Sequence, residues 1–293
     1  AFKEQIKEMG RELDSIITFD DTVLGNEELN AVTPSFQGAI LKSVMKQLDI
    51  ECDREIPEGT ILNYRFGVKV RNEEVEDYRD NYDYIDFGNY IVYKTEKQED
   101  TNSYKITCYD KMLYAMKDYE NMNITYPISV RDYINAICNH LGLTFKNRNE
   151  TFANYNQQIN GELYLDTQGN SLGYTFRDIL DELAQATAST ICINEEDGQL
   201  EVRYINNTGD TINEEYLKDI NVNFGESYGP VNTVVLSRSA GADNISLSYP
   251  ENLPDDEKIA VKIVDNQIMN GNDRDSYLSD ILNRLLGLEY YLN

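Results

Sequence analysis

The strongest constraint in this chain is a two-residue alternation of side chains that recurs through its first third. Thr60 to Val70 reads Thr-Ile-Leu-Asn-Tyr-Arg-Phe-Gly-Val-Lys-Val, and Tyr84 to Lys94 reads Tyr-Ile-Asp-Phe-Gly-Asn-Tyr-Ile-Val-Tyr-Lys. Alternation among β-branched and aromatic residues lays one apolar face along an extended strand and gives no helical stripe. Pro57-Glu58-Gly59 supplies a turn before the first run. Polar residues from Glu96 to Asn102 carry the second run into Ser103-Tyr104-Lys105-Ile106-Thr107-Cys108, a hairpin partner. Residues 11–120 are therefore expected to be mainly strands, forming an antiparallel sheet or barrel. Met112, Leu113 and Met116 recur at helical spacing and predict a short helix that closes this unit.

At 293 residues the chain has room for two domains, or three small ones, each with its own core. Asp and Glu number 52 against 26 Lys and Arg, a formal charge of −26. Such a surface repels phosphates, so a nucleic-acid-gripping protein is excluded. No apolar run reaches the ~18 residues a membrane span needs, and Ala1-Phe2-Lys3-Glu4 opens no signal-peptide core. A soluble chain made in the cytosol, with no membrane anchor, is expected. Cys52, Cys108, Cys138 and Cys192 are widely spaced with no Cys-x-x-Cys pair, which predicts buried free thiols and no zinc ribbon.

A faint repeat organises the middle. Ser129-Val130-Arg131-Asp132-Tyr133-Ile134 is echoed 46 residues later by Thr175-Phe176-Arg177-Asp178-Ile179-Leu180. Ser129 and Thr175 are helix N-cap types, and Asp132 and Asp178 fall in the first turn, where the helix dipole favours an anion. The first helix buries Ile134, Ile137 and Leu141 and stops at Gly142. The second buries Ile179, Leu180, Leu183 and Ala186 and leads into a hairpin, Thr190 to Ile193 and Leu200 to Tyr204, turning at Asp197-Gly198. Strands are expected again at 220–224, 232–237, 244–249 and 259–264. A final helix from about Asp275 carries an apolar stripe of Tyr277, Leu278, Ile281, Leu282, Leu285 and Leu288. The expected class is α+β and strand-rich, with boundaries at 1–118, 119–218 and 219–293.

Candidate chemistry is sparse. Gly225-Glu226-Ser227-Tyr228-Gly229 matches the Gly-x-Ser-x-Gly nucleophile elbow, but a strand-like run from Pro230 follows where a helix should, and the sole histidine, His140, lies upstream. Cys138-Asn139-His140 offers one thiol and one imidazole, too few for a tetrahedral metal site; His140 suits the negative end of a helix better. The acidic tract from Asn72 to Asp83 lacks EF-hand spacing and reads as a solvated hairpin tip. Asn270-Gly271-Asn272-Asp273-Arg274-Asp275 could clasp calcium, yet as an N-cap cluster for the last helix it needs no ion. No phosphate-cradling glycine loop occurs. No catalytic, cofactor-binding or metal-binding residue is assigned, and an enzyme is not expected. Two rival readings are a serine hydrolase or peptidoglycan-cleaving lysin, resting on Ser227, and a carbohydrate-binding module, suggested by the 22 tyrosines.

Three stretches together resemble the N-terminal structural region of siphophage tail-tip hub proteins, also called tail-associated lysins or prophage endopeptidase tail proteins. The first is Tyr84 to Val92, then Tyr104 to Met112, then Ile124-Thr125-Tyr126-Pro127. The second is Thr175 to Leu180 with Ala184-Gln185 and the Asp197-Gly198 hairpin. The third links Tyr216-Leu217-Lys218-Asp219 and Val231 to Ser237 with Val264-Asp265-Asn266 and Leu285 to Tyr290. The resemblance implies two barrel-like antiparallel β domains with an intervening helix-plus-hairpin region, the second barrel incomplete at Asn293. It further implies a homotrimer around the DNA conduit of a virion tail tip or baseplate, assembled in the bacterial host cytoplasm. Its partners would be the distal tail protein and the tape-measure protein. Peptidase activity, where present, would lie in a C-terminal extension. DNA would pass without specific binding, since lumen carboxylates repel it over a Debye length of about 8 Å.

Overall fold

A computed structural model describes residues 12–35, 40–71, 75–99, 103–204, 227–238, 243–288 and 290–291. The chain is α+β and strand-rich, and it divides into two compact units: residues 1–37, 44–114 and 193–199, and residues 38–43, 115–192 and 200–293.

The first unit is built on one sheet. Its strands are β1 (Leu13–Phe19), β2 (Thr22–Leu24), β3 (Leu29–Ser35), β5 (Gln47–Cys52), β6 (Ile61–Lys69), β7 (Tyr82–Lys97) and β8 (Tyr104–Tyr109), with β4 (Ser43–Val44) assigned to another sheet. The order is β2-β1-β6-β7-β8-β5-β3, and its ladders are antiparallel. Register follows the alternation: Ile17 sits opposite Tyr64, and Leu48 and Ile50 opposite Cys108 and Ile106. These inward residues meet in one core with Leu24, Leu62, Tyr90 and Val92, and Leu29 and Val32 of the far edge pack against it. Both edges of the sheet thus reach one core, so the sheet is rolled. A turn from Gly25 joins them, its carbonyl accepting from Glu28 N and Leu29 N, each at 3.0 Å.

The roll is not a closed barrel: among the described residues no ladder joins β2 to β3. β2 is only three residues long. β3 is irregular between Leu29 and Ala31 and carries Pro34, which has no N–H to donate. The expected helix at Met112 is a 3₁₀ turn, Lys111–Met116. Its three-residue period buries Met112 and Ala115 and leaves Met116 46% exposed. The acidic tract lies where expected, in the β6–β7 connection: its residues 75–83 are described, and Asp77 caps a 3₁₀ turn, Tyr78–Asn81.

In the second unit, β9 (Ile128–Ser129) pairs with β10 (Gln158–Ile159) and leads into α1 (Val130–Leu141). Ser129 Oγ accepts from Asp132 N at 3.1 Å. α1 ends in a Schellman motif: Gly142 sits at φ 70°, Leu143 N donates to Cys138 O at 2.8 Å and Gly142 N to Asn139 O at 3.3 Å. α2 (Phe176–Ala186) starts on a complete capping box, Asp178 N to Thr175 Oγ1 at 3.2 Å and Thr175 N to Asp178 Oδ2 at 2.8 Å. Both helix starts of the repeat are therefore real. β11 (Thr190–Ile193) and β12 (Leu200–Arg203) form the expected hairpin, in a sheet of order β12-β11-β4.

The expected strand at 220–224 lies outside the described residues. β13 (Ser227–Tyr228) is followed by β14 (Thr233–Ser237), β15 (Ile245–Ser248), β16 (Ala260–Val264), α3 (Gln267–Asn270), α4 (Asp275–Leu285) and β17 (Tyr290–Tyr291). The sheet β15-β14-β16 corrects the second antiparallel barrel: β14 pairs antiparallel with β15 but parallel with β16. After the β14–β15 hairpin the chain is back at the start of β14, where Asn232 O accepts from Tyr249 N and Asn232 N donates to Ile259 O. A strand added on β14's free side from that end must run parallel to it.

One glycine tests the first unit. Lys46 Nζ donates to Ile193 O at 2.9 Å and pairs with the Glu195 carboxylate, and a Cβ on Gly88, at φ +92°, would stand 3.0 Å from Glu195 O. Gly88→Ala is expected to lower unfolding free energy by about 1–2 kcal/mol, measured by urea denaturation. Leu62→Ala, at a fully buried position, should cost about 2–5 kcal/mol in the same assay.

Candidate functional site

The candidate residues fall at separate places. Ser227 lies on β13, whose backbone pairs with β17, and Gly229-Pro230 and β14 follow it. The strand–turn–helix that exposes an elbow serine is not formed there. His140 is in the last turn of α1, its Nε2 2.9 Å from Glu120 Oε1 and its ring 5.0 Å from that of Phe176. Cys138 is buried, its thiol pushed up to about 12 by burial. Two residues along a helix is a rotation of about 200°, which is why Cys138 faces inward and His140 outward. All four cysteines are free and buried. Among the described residues no three metal-ligating side chains gather, and no helix is long and apolar enough to cross a membrane.

The two acidic motifs serve local structure. Asp77 Oδ1 accepts from Arg79 N at 3.0 Å and from Arg79 Nε at 2.7 Å, and this bonding holds its carboxyl below the usual carboxylate range. Asn270 to Asp275 does not cap the last helix as expected. The residue before α4 is Arg274, with no side-chain cap bond, and its guanidinium reaches Asp243 Oδ2 at 2.7 Å. Asn272 instead turns back, donating to Ile268 O at 2.6 Å and accepting from Asn160 Nδ2 at 2.8 Å.

Where the second unit does concentrate polar chemistry is around two glutamates that pattern reading passes over. Glu162 Oε2 accepts from Tyr119 OH at 3.0 Å and Tyr126 OH at 3.1 Å, while its Oε1 accepts from Leu163 N and Tyr164 N, both at 3.0 Å. Tyr164, fully buried, donates at 2.9 Å to Glu182 Oε2, which also takes Gln267 N of α3 at 2.7 Å. Burial raises the Glu182 carboxyl above its ordinary value, and the bonds from Tyr164 and Gln267 offset part of that rise. Four donors on one carboxylate leave it saturated, so Glu162 is a structural acceptor with no lone pair directed at a substrate.

A small cleft lies beside the C-terminal end of α4. Its volume is about 160 Å³, with Ser189, Thr190, Tyr204 and Arg284 in its lining. Tyr204 is fixed from both ends of its hydroxyl, accepting from Ala153 N at 2.8 Å and donating to Thr187 O at 3.2 Å. The Arg284 guanidinium stacks 4.1 Å from the Tyr204 ring centroid. Arg284 makes no ion pair among the described residues; Asp280, one turn earlier on α4, accepts from Asn154 N at 3.0 Å instead. On sequence alone Asp280 and Arg284 read as an ordinary i, i+4 pair, so nothing in the pattern marks the cleft.

No protein-family model matches the chain, and no curated protein matches it in sequence. Among solved structures it is similar to the 43 kDa tail protein of prophage MuSo2 from Shewanella oneidensis, at 13% identity and TM-score 0.47 over 90% of this chain and 76% of that one. A tail protein from Neisseria meningitidis MC58 gives 10% identity and TM-score 0.45 over 88% and 73%. Prophage tail protein gp18 from Listeria monocytogenes EGD-e gives 10% and 0.49 over 91% and 78%.

Glu182 yields a pH dependence of definite sign. Its raised pKa means the folded state binds the proton more tightly than the unfolded chain, so its contribution is full below the ordinary glutamate value of about 4.3 and is lost as pH rises through the folded value. Unfolding free energy of the wild type, measured relative to Glu182→Gln by urea titration, should fall over that window. A flat difference would contradict it.

Proposed function

We propose that this chain is a non-enzymatic structural protein of a phage or prophage tail, acting at the tail tip as a homotrimeric hub around the DNA conduit. It would join the distal tail ring to the tip, with the tape-measure protein as a second partner. The observation that carries this reading is a coincidence of sequence and structure. Most of the stretches that fall on described residues supply ordered elements: β7 and β8, then α2 with the β11–β12 hairpin, then β14 and the last residues of β16 and α4, while Ile124 to Pro127 lies between elements. The residues that carry the resemblance are thus in good part those that build the fold, as expected when likeness reflects shared architecture and not a shared active site.

The spending of polar groups supports the same reading. Several carboxylates in the second unit, Glu162, Asp178 and Glu182 among them, end on backbone amides, tyrosine hydroxyls or a helix start, which are structural duties. Asp181 of α2 illustrates this, accepting from Ser43 N at 2.6 Å and from Lys42 Nζ at 3.0 Å. The formal charge of −26 suits a wall past which DNA slides, since like charges repel without adhesion.

Class averages from electron microscopy of the purified protein, with light scattering, test the proposal. The expected result is a threefold ring with a central opening and a mass of three chains. A monomer that hydrolyses peptidoglycan, with activity abolished in Ser227→Ala, would overturn it.

A further inference from the structure

We propose that the Arg284 cleft is a socket for a carboxylate side chain from a second copy of this chain. This rests on the ring reading above and specifies one contact through which the ring would close. Three observations lead to it. The first is size: at about 160 Å³ the cleft falls below the ~300 Å³ at which small-molecule sites begin, but it admits the end of one side chain.

The second is preorganisation. A guanidinium stacked on an aromatic face keeps its N–H edges in one plane, ready for two parallel bonds to a carboxylate. Here the ring beneath it is itself fixed through Ala153 N and Thr187 O. Arg284 therefore has little freedom to lose on binding.

The third is charge. Acidic residues outnumber basic ones two to one, so a second copy approaches with a predominantly negative surface and encounters repulsion over most of it. A guanidinium with no carboxylate within ion-pair distance among the described residues, its helical neighbour Asp280 accepting from Asn154 N instead, is a place where approach is favourable. In a ring made by rotation the contact is heterologous: the socket of one copy meets a different, acidic face of the next. The cleft needs only one acceptor carboxylate from that face.

Sedimentation equilibrium of the full chain tests this with wild type, Arg284→Lys, Arg284→Glu and Asn283→Glu. Asn283 is exposed beside Arg284 in the cleft lining, so Asn283→Glu places a repelling carboxylate in that lining while Arg284 and Tyr204 are retained. Wild type is expected to self-associate. Both glutamate variants should raise the dissociation constant at least tenfold, Arg284→Lys should fall between, and melting curves should confirm that each variant folds. Wild-type assembly with both glutamate variants unchanged overturns the socket and leaves the ring standing. Wild type that stays monomeric at every concentration overturns both. If acetate raises the melting temperature of a monomer that never associates, the cleft takes small anions and the proposal falls.

Discussion

The first unit depends on one geometric demand: the inward faces of seven strands must meet in a single apolar core. Ile17, Leu48, Ile50, Leu62, Tyr64, Val92, Ile106 and Cys108 come from five strands and share that core. At roughly 1.5–3 kcal/mol for each fully buried large side chain, their burial is what offsets the entropy of ordering the sheet. A flat sheet could not bring β2 and β3, its opposite edges, to the same side chains. The right-handed twist of the strands supplies the curl, and the short turn at Gly25 holds the edges near each other. No ladder joins the two edge strands among the described residues: one is only three residues long, and the other carries a bulge and a proline.

The second unit solves a different problem, that of a chain rich in carboxylates. Burying a charge is costly unless it is hydrogen-bonded, and here the buried or half-buried acids are used as acceptors for donors that would otherwise be stranded. Glu182 receives the first amides of α3 and Glu162 gathers two phenols and two backbone amides, while the exposed Asp178 completes the capping box of α2. The tyrosines gain from this as much as the acids do. Tyr119, Tyr126 and Tyr164 place their rings in or beside apolar space and their hydroxyls on a carboxylate, so these three serve the interior.

Much of the local structure could be read directly from sequence because it depends on neighbours along the chain. The N-caps Ser129 and Thr175, the stop at Gly142, the Asp197-Gly198 hairpin and the alternation in β6 and β7 are set within a few residues, by hydroxyl geometry, glycine's freedom at positive φ and the two-residue pleat. Where a local rule admits two outcomes the expectation failed. Met112 to Met116 satisfies both a three- and a four-residue period, and the burial of Met112 with Ala115 selects the tighter turn. Asp273 and Asp275 are good cap residues, but Arg274 is the one drawn to Asp243.

What the sequence determined by itself is the class of the molecule: strand-rich, acidic, capped at predictable helix starts and lacking a recognisable catalytic pattern. What only the tertiary structure decided is which strands become neighbours and where side chains distant in sequence converge. The parallel pairing of β16 with β14, the open edge of the rolled sheet, the Glu162 and Glu182 clusters and the stacking of Arg284 on Tyr204 all join residues tens of positions apart. No local propensity encodes such a meeting, because its free energy exists only once the intervening chain has folded and brought both partners together.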